Sequence, residues 1–424
     1  MARSSKEIKE IKSMFEDTDY IEESEIESIN VNAEFIANLK ENALYIVEER
    51  ELGKILHDIE QILISVIFAI IAKCDTFVEI HLFMQCHYEW LDNYVNFENG
   101  LPSLSTIKRV IDFINPKQLE QLCVNTFKTF LTKNEPIFRD GSFVIDDIKT
   151  MDGKTANSSD RKSSKDGKVA KMNAMRIHSV KNDYTEATEF ISNKTNEIPT
   201  GPDLLKRINI KNSIVVFDAM STQTETIEYI VESKVHYVAP VKGNQPTLEE
   251  CIKEYFEDDS LYNKAKSESY YETKELAHGC YEKREYIFKN DVEWIYKKED
   301  WKNLKSIGLV KRTYEDKDGN LKTDTRYYIS DLDATRIELI ANAIRSEWAI
   351  ENKLRWYLDV VFKEDDNKCF LENSQKNLNI IRKFSLGLLK FYKEESKLSM
   401  NSIRHVLSMN FEKSILDIIA TLYS

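Results

Sequence analysis

Residues 213–221 read SIVVFDAMS, in which four apolar residues, Ile214 to Phe217, run directly into Asp218. A short apolar run bounded by polar residues is the pattern of a strand buried on both faces. A carboxylate at the rim of a dry core is costly unless a helix N-cap, an ion pair or a cation receives it. The run also has a context. FVIDDIKTMDGKT, AMRIHSV and EATEFIS read as three strands, followed by the helix IPTGPDLLKRIN. NSIVVFDAM is then a strand, TQTETIEYIVES a helix and VHYVAPVKG a strand. The order βββαβαβ predicts a mixed sheet with a parallel part and helices on its faces.

Composition narrows the class. A chain of 424 residues that is 42% apolar and 11% aromatic has material for two or three globular domains. Its six cysteines are scattered with no CxxC pair, which argues for a reducing compartment and against a disulfide scaffold or a cysteine zinc site. The apolar run QILISVIFAIIAK is too short to span a bilayer and reads as a buried helix, and the N-terminus lacks the apolar stretch of a secretory signal. The expectation is a cytoplasmic, nucleoid-associated protein with no membrane partner.

The net charge of −13 is unevenly spread. Residues 1–60 carry 16 acids and 7 bases, whereas residues 161–181 carry 7 bases and 1 acid, and 376–404 carry 7 bases and 2 acids. Two basic tracts on an acidic chain are either solvated surface or a local phosphate-binding face. Helical spacing covers much of the N-terminal part. TFVEIHLFMQCHYEWL places Phe77, Ile80, Phe83, Met84, Tyr88 and Leu91 on one stripe, and Ser105 is positioned to cap STIKRVIDFI before Pro116. REYIFKN, KSIGLVKRTY and TRYYISDL then read as strands, and a long helix starts near Ala334.

Asp152 and Asp218 each end a predicted strand, and ligand sites in open α/β sheets lie beyond the carboxyl ends of strands. Paired carboxylates there suit a hard divalent cation such as Mg2+, which prefers oxygen ligands. In AIENKLRWYLDVVF an apolar stripe runs through Ile350, Leu354, Tyr357, Leu358 and Val361, with Glu351 at its edge. Glu351 is either a third carboxylate for the cation or an i,i+4 partner of Arg355, the latter worth roughly 0.2–0.5 kcal/mol. Asp359, Glu364 and Asp365 compete for the third role. His87 with Cys86 lacks the spacing of a metal site, and Trp348 and Trp356 read as packing residues.

The ordered series of segments resembles the ISAs1-type, H-repeat-associated DDE transposases of the IS4-like group. NGLPS with a following helix and NP resembles the family's N-terminal region. MDGKT carries its first Asp, KTNEIP resembles KSNEIP, VVFDAMSTQ carries the second Asp, and YVAPVKGNQPTL carries KGNQ. HGCYEKR resembles HGRxExR, and RSEWAIENKLRWYLDVVFKED resembles RxHWxIENxLHWxLDVxFxED, which holds the Glu. The departures are Glu347 and Arg355 where the family has His, Cys280 where it has Arg, and Thr195 where it has Ser.

The resemblance implies an α/β, RNase H-like mixed sheet with flanking helices, a β-rich insertion and an N-terminal all-α domain. The implied partition is a charged, partly ordered segment at 1–50, a helical DNA-docking domain at 51–138, catalytic core at 139–246, a β-rich insertion at 247–333, and the helical remainder of the core at 334–424. The step of 133 positions from Asp218 to Glu351 leaves room for that insertion. Asp152, Asp218 and Glu351 would hold two Mg2+ ions, with Mn2+ as a substitute, for cleavage of double-stranded DNA at element ends and strand transfer to target DNA. Lys154, Lys242, Asn244, Gln245, Arg345 and Arg355 are the expected DNA contacts, and His278 reads as either a DNA neighbour or a turn residue. A homodimer on DNA would handle the two ends. The competing readings are a catalytically weak or silent DNA-binding descendant of a transposase and a nuclease on the same fold.

Overall fold

A computed structural model describes residues 34–130, 135–156, 172–191, 197–277, 280–315, 320–364 and 372–423. The chain divides into two compact units, Met1–Leu131 with Tyr357–Ser424, and Thr132–Trp356. Packing therefore splits the expected 334–424 segment at Tyr357, where the long helix passes into a π-helical turn, Tyr357–Val361.

The first unit is helical. After a helical segment at 34–43 come α1 (Ile59–Ile71), α2 (Phe77–Cys86), α3 (Tyr88–Val95), α4 (Leu104–Phe113) and α5 (Pro116–Phe130). Every residue of α1 except Glu60 is buried, so its apolar run is a core helix. No helix among the described residues is long and apolar enough to cross a membrane. Thr76 and Glu79 form a reciprocal capping box at the start of α2, with Glu79 N–H donating to Thr76 Oγ1 at 3.2 Å and Thr76 N–H to Glu79 Oε2 at 2.8 Å.

Two local expectations change. The stripe from Phe77 to Leu91 is two helices, because His87 leaves helical geometry (φ −113°, ψ 28°) and ends α2. The cap of α4 is Ser103, not Ser105. Ser103 has extended backbone after Pro102, and its hydroxyl accepts from Thr106 N–H at 3.2 Å.

The second unit is built on a nine-stranded sheet. Its elements are β3 (Asp147–Ala156), β4 (Met172–Ser179), β5 (Tyr184–Ile191), α6 (Glu197–Leu205), β6 (Ser213–Phe217), α7 (Thr224–Glu232) and β7 (His236–Val241). A small hairpin, β1 (Phe138–Asp140) and β2 (Phe143–Ile145), precedes them. Next come α8 (Pro246–Glu257), α9 (Asp259–Glu268), β8 (Tyr270–Ala277), β9 (Cys280–Lys289), β10 (Ser306–Glu315), β11 (Leu321–Ser330) and α10 (Ile337–Trp356).

The strand order is β5-β4-β3-β6-β7-β11-β10-β9-β8. β3, β4 and β5 form an antiparallel meander, while β6 runs parallel to both β3 and β7. This is the mixed sheet with a parallel part that the βββαβαβ pattern predicts, and the RNase H-like arrangement that the resemblance implies. The β-rich stretch after β7 continues the same sheet, because β11 pairs with β7 through Ile329↔Ala239 and Ser330↔Val238.

The period of two along each strand sorts residues onto two faces. Met151, Val215, Phe217, Tyr237 and Ala239 lie in one buried core with residues of α6, α7 and α8. Ile148, Ile214, Val216, Val238 and Tyr328 lie in the other with Leu339, Ile340, Ala343 and Ile344 of α10. By this alternation Thr150, Asp152, Asp218, Pro240 and Lys242 fall on the α10 face.

The last helices belong to the first unit: α11 (Glu372–Ser396), α12 (Met400–Met409) and α13 (Phe411–Tyr423). Asn377 of α11 donates to Ile111 O at 2.7 Å and Ile114 O at 2.8 Å, satisfying carbonyls at the end of α4. The basic tract 376–404 is not a solvated or phosphate-binding face throughout, because Arg382, Lys383 and Arg404 are buried. Arg404 donates to Asp75 Oδ1 at 2.7 Å, Ile70 O at 2.7 Å and Val361 O.

Candidate active site

Strand register brings the first two acids together. Met151 on β3 is the parallel partner of Phe217 on β6, so Asp152 and Asp218 each sit one residue past the last shared pair. Adjacent strands run about 4.8 Å apart, which sets the scale of their separation. Both acids line one cavity of about 250 Å³ together with Thr150, Ala219, Pro240, Lys242, Arg326, Glu347 and Arg355.

Asp218 has a local partner as well. It is the N-cap of a short 3-10 turn, Ala219–Ser221, and its Oδ1 accepts from Ser221 N–H at 2.9 Å. That turn is fastened from the end of β7. Asn244 donates its amide to Ala219 O, and Gln245 donates to Thr222 O. Thr222 hydroxyl donates to Pro240 O at 2.8 Å. Asn244 and Gln245 thus position the Asp218 turn through their backbone contacts.

Asp152 is held by cations. Arg355 Nη2 lies 2.5 Å from Asp152 Oδ1, Nε lies 3.2 Å from Oδ2, and Nη2 also donates to Gly153 O at 2.7 Å. Arg176 is the cross-strand partner of Asp152 on β4 and is buried, with Nε and Nη1 lacking a hydrogen-bond partner among the described residues. Burial pushes the Asp152 carboxyl above its ordinary range, against the pull of Arg355 and Arg176, and the Asp218 charge pushes the same way as burial.

Glu347 and Arg355 lie on α10 eight residues apart and both line the cavity. Position 351 falls midway between them, one turn from each. The side chains of Glu351 and Lys154 lie outside the described residues, although their backbones sit on α10 and β3. Arg345 does not line this cavity. It pairs with Glu275 and borders a second cavity lined by Arg284, Arg312 and Arg326. His278 and Asp365 lie outside the described residues, and Trp356 is exposed.

The donor set can be tested against a hard cation. Three carboxylates line the cavity, those of Asp152, Asp218 and Glu347, and the Thr150 hydroxyl, buried at its wall, has no partner among the described residues. These oxygens fit Mg2+ or Mn2+. Among the described residues no three His, Cys, Asp or Glu side chains are gathered tightly enough to hold a metal ion, so a full set needs a further acid. Thr150, Arg176 and Arg326 carry no motif. Only the sheet register, which pairs Asp152 with Arg176, places Arg176 beside the acid.

The chain matches two family descriptions in order, "DDE_Tnp_1-associated" over residues 45–127 and "Transposase DDE domain" over 141–388. It is 32% identical over 365 residues to "Putative protein YbfL" of Escherichia coli K12, covering 84% of this chain and 90% of that one. It is 31% identical over 363 residues to "Putative transposase YncI" of Escherichia coli O157:H7, covering 85% and 89%. The "H repeat-associated putative transposase YhhI" of Escherichia coli K12 is 31% identical over 360 residues, covering 84% and 90%. The matched DDE domain contains the two abreast aspartates and the whole of α10, and with these relatives it places the chain in the H-repeat-associated family of DDE transposases.

Proposed function

We propose that the protein is an insertion-sequence transposase that cuts double-stranded DNA at element ends and joins them to target DNA, with Asp152, Asp218 and Glu351 as the metal-holding acids. The observation that carries this reading is the register Met151↔Phe217, which sets Asp152 and Asp218 abreast at the carboxyl edge of the parallel strands. Position 351 on α10 supports it, lying between two residues that line the same cavity. Two divalent ions bound there would activate a water or a 3′-hydroxyl and stabilise the leaving oxygen of an in-line displacement.

The remaining work falls to the chain. The Ser221 N–H holds one oxygen of Asp218, and the Asn244 and Gln245 amides hold the turn that carries it. Lys242, Arg326 and Arg355 at the cavity wall supply positive charge for DNA phosphates. Lys154, Arg345, Asn244 and Gln245 extend the proposed DNA contacts, and a homodimer on DNA handles the two ends. No protein nucleophile is required.

A weak or silent DNA-binding descendant is the second reading, and the Arg355–Asp152 pair favours it, because that carboxylate already has a cation. Purified protein incubated with a labelled element end and Mg2+ or Mn2+, beside Asp152→Asn, separates the two. Cleavage that is lost in the variant supports the transposase. Cleavage that survives refutes the site, and binding without cleavage by either protein at paired ends selects the second reading.

A further inference from the structure

We propose that Arg355 is the counter-ion of Asp152, and that a DNA phosphate draws it off that carboxylate before divalent ions load. DNA binding and metal binding are then coupled through one side chain. This inference rests on the reading of Asp152 as a metal ligand.

The geometry puts a guanidinium N–H on each oxygen of that carboxylate. One guanidinium spans Asp152 Oδ1 at 2.5 Å and Oδ2 at 3.2 Å, and reaches Gly153 O at 2.7 Å. A divalent ion approaching Asp152 meets a positive group already seated, and like charges at such range repel strongly in a partly desolvated cavity. Arg355 can leave. It sits in the last turn of α10, its side chain is 28% exposed, and it lines the cavity. Arg–phosphate and Arg–carboxylate pairs share the same planar, two-pronged geometry, so a phosphate in the cavity offers an equivalent partner. Arg176, by contrast, is fixed by burial on the neighbouring strand and stays beside Asp152 in either state. A histidine, which the family pattern has at this position, cannot span both oxygens, so the coupling belongs to the arginine.

Linkage makes the effect reciprocal, so DNA tightens the metal by the factor by which the metal tightens DNA. Mn2+ binding is read from the spectrum of free Mn2+, with and without a short duplex, for the wild type, Arg355→Met, Arg355→Lys and Asp152→Asn. Asp152→Asn with duplex gives the Mn2+ held by DNA alone and by other sites. Above that baseline, duplex tightens Mn2+ at least about tenfold in the wild type and less than about twofold in Arg355→Met. Arg355→Met without DNA binds Mn2+ at least about tenfold tighter than the wild type, and Arg355→Lys falls between. In the converse titration, which needs no variant, Mn2+ tightens wild-type duplex binding by the same factor.

Wild-type Mn2+ affinity that is lost in Asp152→Asn but indifferent to duplex and to Arg355 overturns the coupling and leaves the ligand assignment standing. Equal Mn2+ binding by the wild type and Asp152→Asn with duplex present overturns the ligand assignment itself.

Discussion

Lys149 offers the sharpest test of how the site's leading strand is held. It stands on β3 three residues before Asp152, with its side chain 6% exposed. Its ammonium lies 2.7 Å from Asp147 Oδ2 and 2.7 Å from Glu186 Oε2. Asp147 also accepts from Ser179 hydroxyl at 2.5 Å and Lys181 N–H at 2.8 Å. Lys149→Met keeps the volume and removes the charge, stranding the buried Asp147 carboxylate and depriving the half-buried Glu186 of its cation. Removing one partner of a buried ion pair costs about 3–5 kcal/mol, and Asp147's two other hydrogen bonds set the expectation near the lower end. For a unit of this size that is a loss of roughly 6–12 °C in Tm, at 2–4 °C per kcal/mol. The double variant Lys149→Met/Glu186→Met recovers part of the loss, because one stranded charge is gone.

Burial alone would lower the Lys149 pKa, but Glu186 and Asp147 outweigh it and raise the ammonium above its ordinary value. The folded pKa is therefore the higher one. The triad's stabilisation is fully present below about pH 10.4, the unfolded value, and is lost as pH rises through the folded pKa. Urea melts at pH 7 and at a series of alkaline pH values read both effects. A Lys149→Met variant within about 1 kcal/mol of the wild type, or one that keeps the same alkaline loss, rules out a stabilising role for the Lys149 ammonium.

Other expectations follow from single contacts. Asp218→Asn keeps an oxygen for Ser221 N–H and melts within about 0.5 kcal/mol of the wild type, whereas Asp218→Ala loses the cap and about 1 kcal/mol. Both lose metal-dependent cleavage, so paired melting and cleavage assays separate the two roles of that carboxylate. Arg404→Met strands the buried Asp75, whose carboxyl burial already pushes up against the pull of Arg404, and costs about 3–5 kcal/mol in urea. Gly308→Ala puts a Cβ 2.4 Å from the buried Phe288 ring, and calorimetry should show about 1–3 kcal/mol of overpacking.

Much of this architecture is legible in the chain. Strand and helix periods alternate cleanly from Phe143 to Val241, and the apolar run before Asp218 is buried along its whole length, as its composition demands. The opening puzzle of that carboxylate has a local answer in the Ser221 cap, which the run itself does not reveal. What escapes the sequence is what register creates. Arg176 gains its place only because β4 pairs antiparallel with β3, 24 residues along the chain from Asp152. The 376–404 tract looks like surface by charge count, yet Arg404 is buried because helix-end carbonyls and Asp75 converge on it. Ser105 and Ser103 are equal as letters, and the extended backbone after Pro102 selects the earlier one.

Crystals soaked in Mn2+ and measured for anomalous scattering would show most directly whether three distant acids share ions. Peaks are expected at the carboxyl edge of β3 and β6, within about 2.0–2.3 Å of oxygens from Asp152, Asp218 and Glu351. No peak at that edge with ions bound elsewhere, or peaks there that leave Glu351 beyond reach, would contradict that sharing.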